Sequence, residues 1–326
     1  MTAVRFPPAA RALGHVQLAR PLAWIWFDFL PSFAIAGLVV SGGVPFGTYA
    51  LLLLLLIAAD SAGSTVNDIC DQATDAASSE ASRQRRPLLT GAVGRGAAAL
   101  QAVLLFAVAL ALAGWLGRSV LLVLLVGVVF EVGYSAPPLR LSGRPWANHI
   151  LSTLIWSGIL WLIAIACSPD AAREPARALA LAGEILGRID LLFFGLGLVL
   201  FVAWAEMLAK DLRDLENDRA TGKRTTAVHL GARRTARLIP IFSALGSLCW
   251  CIGLFLHASF PPAMIVLVGG VAAVWQTITL RLCIRLRSVP DQGDAQRLHQ
   301  GFIWTFALLS ALTGLGQMFG TTQGLR

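Results

Sequence analysis

The chain of 326 residues is 56% hydrophobic and only 13% charged. A soluble domain carries about twice that charged fraction, so the composition excludes an ordinary soluble enzyme and points to a polytopic helical membrane protein. The net charge of +8 comes with no basic tail and no interleaving of aromatic and basic residues, which excludes nucleic acid as a partner; it fits loops retained in the cytoplasm. The cysteines Cys70, Cys167, Cys249, Cys251 and Cys283 form no CxxC pair and read as small apolar residues.

Residues 1–20, with Arg5, Arg11 and Arg20, lack the apolar core and cleavage site of a secretory signal. They read as a cytoplasmic arm with an interfacial helix over 9–19. Residues 21–326 read as one transmembrane domain. Apolar stretches follow over 21–41, 46–66, 98–117, 119–135, 147–167, 189–209, 236–256, 261–282 and 300–319, each near the length of about 20 residues that crosses a bilayer. The fold class is therefore all-α: a polytopic membrane bundle of nine transmembrane helices. A cytoplasmic N-terminus places all but Arg118, Arg173, Arg177, Arg188 and Arg326 of the 26 Lys and Arg on the cytoplasmic side, as the positive-inside rule demands. The loop 168–188 is polar with helical tendency and reads as an outer cap.

Two acidic stretches then stand on the same side of the membrane, Asn67-Asp68-Ile69-Cys70-Asp71-Gln72-Ala73-Thr74-Asp75 and Asp211-Leu212-Arg213-Asp214-Leu215-Glu216-Asn217-Asp218. Carboxylates beside a membrane core are costly and need a reason. Asn67, Asp71 and Asp75 recur at i, i+4 and i+8, and Asp211, Asp214 and Asp218 at i, i+3 and i+7, so each set lies on one face of a continuing helix. No lysine at i±4 neutralises the first set. Such stripes repel themselves unless a cation intervenes, and magnesium takes carboxylate and amide oxygens while leaving positions for phosphate. Two stripes packed together would clamp a diphosphate through metals. Lys210 precedes the second set, Lys223 and Arg224 follow it, and Arg85 and Arg86 follow the first, as candidate phosphate contacts. One set follows the second span and the other the sixth, which suggests two related four-helix halves and a ninth helix.

The Asn-Asp-x-x-Asp-x-x-x-Asp stretch at 67–75, the Arg-Pro-Leu-x-x-Gly stretch at 86–91, the loop Tyr134-Ser135-Ala136-Pro137-Pro138-Leu139-Arg140-Leu141 and the Asp-x-x-Asp-x-x-x-Asp stretch at 211–218 followed by Gly222-Lys223-Arg224-Thr225 resemble the UbiA superfamily of intramembrane prenyltransferases. The resemblance implies nine helices around a central cavity, two Mg2+ ions, an isoprenyl diphosphate donor, a small and often aromatic acceptor, and a prenyl tail in a lateral tunnel open to the lipid bilayer. It implies that Asn67, Asp68, Asp71 and Asp75 form one metal-binding set and Asp211, Asp214 and Asp218 the other. Lys223 and Arg86 resemble diphosphate-binding residues, and Tyr134 and Arg140 lie in a loop that closes the site. It further implies an integral protein of the bacterial inner (cell) membrane with the site open to the cytoplasm. The pattern departs from many members after Asp75, where Ala76 replaces an arginine and basic residues wait until Arg83, leaving a diphosphate contact to Arg83 or Arg85.

Asp28, Asp60, Glu131 and Glu206 lie within apolar runs. Such acids face the bundle interior; Asp60 shares the face of Asn67 seven residues on, and Asp28 among Trp24, Trp26 and Phe27 suits an acceptor pocket. His149 reads as an interhelical histidine, and His229, His257 and His299 as loop or interface residues. Alternatives remain at this stage: a membrane terpene cyclase, phosphoribosyl transfer to a polyprenyl phosphate, or an ion-coupled transporter. The transporter fits poorly, because transporter sites lie at the bilayer midplane.

Overall fold

The computed structural model describes residues 6–24, 29–39, 44–77, 83–288 and 291–323. Every regular element among them is helical. An arm helix α1 (Pro8–Ala19) is followed by α2 (Leu30–Val39), α3 (Phe46–Cys70), α4 (Arg95–Leu116), α5 (Arg118–Ser135), α6 (Ala147–Ala166), α7 (Ile189–Arg213), α8 (Ala232–Leu256), α9 (Pro262–Ser288) and α10 (Gln292–Gln323). Eight described helices, α3 to α10, are long and apolar enough to cross a membrane, and α2 is a shorter apolar helix. The chain is an integral membrane protein. The first expected span, 21–41, is represented by Pro21–Trp24 and α2; residues 25–28 and 40–43, and with them Asp28, lie outside the described residues. The arm helix expected over 9–19 forms, and the segment 168–188 folds as Pro169–Arg173 and Pro175–Gly187, each helix opened by a proline at its first position, where a missing N–H does no harm.

Each spanning helix packs on its chain neighbours, and α10 returns against α2, so the helices close on themselves. The tightest crossing joins α7 and α8. A Cβ at Gly246 would lie 2.8 Å from the Phe201 backbone nitrogen; within lipid such backbone approach supplies the dispersion contact that association depends on. Gly246→Ala is expected to push the pair apart and to cost about 1–3 kcal/mol, read as a lower melting temperature in detergent. Trp250, buried beside this crossing, donates from its indole to Thr313 Oγ1 on α10 at 3.1 Å and so ties α8 to the last helix.

Helix α7 is interrupted by a π-helical turn over Leu200–Glu206. A π turn inserts a residue and re-aims the side chains beyond it, here those of Glu206, Lys210 and Asp211.

Candidate active site

Both acidic stretches break their helix at one aspartate. Asp71 ends α3 with φ −95° and ψ 7°, and a short helix Gln72–Ala76 begins at once; Asp214 ends α7 with φ −90° and ψ 1°, followed by Leu215–Ala220. Both lie in the sparsely allowed bridge region where active-site residues are often found. The hydrogen bonds repeat as well: Asp71 N–H reaches the Asn67 carbonyl at 2.8 Å and Asp214 N–H the Lys210 carbonyl at 3.0 Å, and Asp75 and Asp218 donate back to Asp71 and Asp214. Asn67, Asp71 and Asp75 therefore match Lys210, Asp214 and Asp218, and Asp68 matches Asp211.

The two stretches meet. Lys223, just after the second, donates from Nζ to Asp71 Oδ2 at 2.8 Å, and Arg140 donates to Asp71 Oδ1 at 2.9 Å. Arg140 arrives with φ 39° and ψ 56°, a left-handed conformation that costs a non-glycine residue about 1–2 kcal/mol and is held by its neighbours. The loops carrying these cations are stitched by Arg224 N–H to the Gly143 carbonyl at 3.0 Å and by Trp146 N–H to Thr226 Oγ1 at 3.0 Å. Arg86 bridges Asp68 Oδ1 at 3.0 Å and Asp75 Oδ1 at 3.1 Å, and Arg20, also left-handed at φ 51°, reaches Asp68 Oδ1 at 2.5 Å. The neutralisation that local sequence does not provide thus comes from four separate segments.

The carboxylates divide into two kinds. Asp68, Asp71, Asp211 and Asp218 are all buried, and of these Asp68 and Asp211 serve as pins. Asp211 accepts from Asn148 Nδ2 at 3.4 Å and from Thr226 N–H at 3.2 Å, with His149 Nε2 at 3.6 Å. Asp211 and Asp218 bond the adjacent residues Thr226 and Thr225, so both face the same loop. His149 bonds the Ala203 carbonyl through Nδ1 at 3.0 Å, the expected interhelical role. Burial, the largest influence, pushes Asp75 and Asp218 each up to about 6; Arg86 is the main opposing group at Asp75, with Asp68 and Asp71 adding to the rise, and at Asp218 the Asp214 carboxylate adds to it against Lys223 and the Thr225 hydroxyl. Asp214 is held below its usual range; burial works to raise it, but the Arg213 hydrogen bonds at 2.7 and 2.5 Å and its charge outweigh that.

Among the described residues no three His, Cys, Asp or Glu are gathered as a preformed metal cluster, since each acid is drawn toward a basic or hydroxyl partner. The donor chemistry nevertheless suits a hard divalent cation: Asn67, Asp71, Asp75, Asp214 and Asp218 offer only oxygen ligands, and burial disfavours the bare anions of Asp75 and Asp218.

A family model for the UbiA prenyltransferase family matches residues 29–289. The chain belongs to this family. Digeranylgeranylglyceryl phosphate synthase of Natronomonas pharaonis is 26% identical over 282 residues, 82% of this chain and 89% of that one. The bacteriochlorophyll synthase 34 kDa chain of Chloroflexus aurantiacus is 27% identical over 265 residues, 79% and 77% of the two chains. Among solved structures, a UbiA homologue from Archaeoglobus fulgidus bound to GPP and Mg2+ has a TM-score of 0.68 at 20% identity, covering 95% of this chain and 99% of that one. The apo UbiA homologue from Aeropyrum pernix K1 gives 0.68 at 17% identity, covering 93% and 98%. At these identities the structural likeness speaks for the fold.

Further polar groups of this UbiA-family chain lie just inside the bundle. Lys210 Nζ donates to Tyr134 OH at 3.3 Å and stands 5.8 Å from its ring. Ser135 Oγ donates to Asn67 Oδ1 at 3.1 Å, and Thr225 Oγ1 to Asp218 Oδ2 at 3.1 Å. His299, expected as a loop or interface residue, belongs to α10 and places Nδ1 2.9 Å from Glu206 Oε1. Arg83 approaches the Ala76 carbonyl at 3.5 Å, and Arg83 and Arg85 are both exposed. His257 joins Asp190 and Arg188 at the opposite end of the bundle. Asp60 lines a cavity of about 410 Å³ between α3, α4, α5 and α6, otherwise walled by groups such as Leu56, Phe106, Val123, Ile155 and Trp161.

Proposed function

We propose that the protein transfers a prenyl group from an isoprenyl diphosphate to a small acceptor, with magnesium at the two acidic stretches. The observation that carries this reading is the Lys223–Asp71 contact, 2.8 Å between residues 152 apart in sequence. It joins the two oxygen-rich helix breaks into one site and brings Arg140 to the same carboxylate. A diphosphate entering there competes with Asp71 for Lys223 and Arg140, and charge-assisted contacts to phosphate are strong enough to draw them across. The freed oxygens of Asp71, with Asn67 and Asp75 on one side and Asp214 and Asp218 on the other, would hold the metal, in two ions as the paired stretches suggest. Bound there, magnesium supplies Lewis-acid neutralisation of the leaving diphosphate.

The chain's own groups do the rest. Lys223, Arg140 and Arg86 balance charge growing on the leaving group. Tyr134 and Lys210 stand between that group and the interior. The apolar cavity beside Asp60 takes the prenyl chain, its volume falling in the usual range for small-molecule sites, and its walls exclude the water that would trap an allylic cation. Residues 21–326 act as one transmembrane unit in the cell membrane, with the N-terminal arm and the site on the cytoplasmic side.

The test uses the full chain in lipid vesicles with radiolabelled geranyl or geranylgeranyl diphosphate, phenolic and alkylglycerol acceptors, and magnesium. Prenylated product should form, stop when EDTA is added, and return with excess magnesium. A cyclic hydrocarbon formed without acceptor would replace transfer by cyclisation. Turnover of phosphoribosyl diphosphate alone, or no diphosphate release from any allylic donor, would overturn the reading.

A further inference from the structure

We infer that Asp60 and Glu131, with Lys210 behind them, form a charged wall that stabilises the positive carbon of the prenyl donor; this rests on the prenyl-transfer reading. Both carboxyl side chains line the same otherwise apolar cavity. Their depth is fixed from two helices. On α3, Gly63 lies four residues before Asn67, and on α5, Glu131 lies four residues before Ser135, whose hydroxyl bonds Asn67 at 3.1 Å. Glu131 is therefore about one helical turn, roughly 6 Å, deeper than the Asn67 amide. The Glu131 carboxyl lies directly over Gly63, in space that a Cβ on that residue would fill. Asp60 is about another half-turn to a turn deeper on the Asn67 face. A diphosphate gripped at Asp71 extends its first carbon into this layer.

Asp60 and Lys210 are the charged groups that act on Glu131. Lys210 also bonds Tyr134 and faces Glu206, itself beside His299. Lys210 thus stands between the two cavity-lining carboxyl groups and Glu206, which Arg213 and His299 also face. Intramembrane acids are costly and mark function. Carboxyl groups lining a dry cavity act on a developing cation far more strongly than they would in water. An uncharged wall of the same shape would leave the diphosphate site intact but lose that stabilisation.

Cation mimicry tests this without turnover. The full chain in phosphatidylcholine vesicles is given N,N-dimethylgeranylamine, a cation near the first carbon, or its uncharged carbon isostere, with inorganic diphosphate and magnesium. Binding is read by displacement of radiolabelled geranyl S-thiolodiphosphate, a donor analogue that resists ionisation. The wild type should prefer the ammonium by about tenfold or more. Glu131→Gln and Asp60→Asn should each bring the preference toward unity while binding the thiolodiphosphate within about threefold of wild type. Gly63→Ala, which displaces the Glu131 carboxyl without removing its charge, should also weaken the preference. Equal binding of the two probes by the wild type, or an unchanged preference in both carboxyl variants, would overturn the inference alone. A wild type that does not bind the thiolodiphosphate at all would overturn the prenyl-transfer reading and this inference with it.

Discussion

Asp71→Ala is expected to lower prenyl transfer by about 10³-fold or more while leaving helix content unchanged. Asp71 is where four parts of the site converge: the end of α3, the short helix after it, Arg140 from the loop that follows α5, and Lys223 from the loop after the second acidic stretch. Removing its carboxylate takes away an oxygen donor and releases both cations. Arg140 then loses the contact that accompanies its left-handed backbone, so the loop it closes loosens. Asp71→Asn should retain the shape and one acceptor oxygen but lose the charge, and should fall between Asp71→Ala and wild type. Lys223→Ala alone should cost less, about 10²-fold, and adding it to Asp71→Ala should cost little more, because residues acting as a unit are non-additive. Initial rates in vesicles with geranylgeranyl diphosphate, paired with circular dichroism, measure this. An Asp71→Ala rate close to wild type would remove Asp71 from the reaction.

Much of this arrangement is legible from local sequence because the membrane imposes it. A span of apolar residues must be helical in lipid, and the expected stretches 46–66, 119–135, 147–167 and 236–256 fall within or closely match α3, α5, α6 and α8. Polar helix ends were harder to read. The helix expected from 300 begins at Gln292, two polar turns earlier, which brings His299 into the helix and against Glu206. The breaks at Asp71 and Asp214 carry no glycine or proline. The helical hydrogen bonds nevertheless run on through Asp214, from Asp214 N–H to Lys210 and from Asp218 N–H to Asp214, as a continuing helix face requires. The cations on the first stretch were equally hidden, since Arg20, Arg140 and Lys223 stand 48, 69 and 152 residues from the carboxylates they bind. Periodicity reports neighbours along a helix; it carries no signal for partners that the closing of the bundle brings together.

Lys210→Met should be the most damaging single change inside the bundle, lowering both stability and activity. The side chain keeps its length, so packing is nearly conserved and the effect isolates the charge. The ammonium bonds Tyr134 OH at 3.3 Å, stands over its ring, and faces Glu206, Asp214 and Glu131. Removing one member of such a buried set leaves its partners uncompensated, which costs about 3–5 kcal/mol and, in a chain longer than 250 residues, lowers the melting temperature by several degrees. Transfer should fall by about 10²-fold, because Tyr134 loses the partner that orients it above the cavity. Lys210→Arg keeps the charge but spreads it over a planar group, so stability should return more fully than activity. The decisive variant is Lys210→Met with Glu206→Gln. If Lys210 balances Glu206, removing the carboxylate as well should recover part of the lost melting temperature. If the double variant melts lower than Lys210→Met alone, Glu206 is held by His299 instead, and the ammonium belongs to the Tyr134 and Glu131 side of the site.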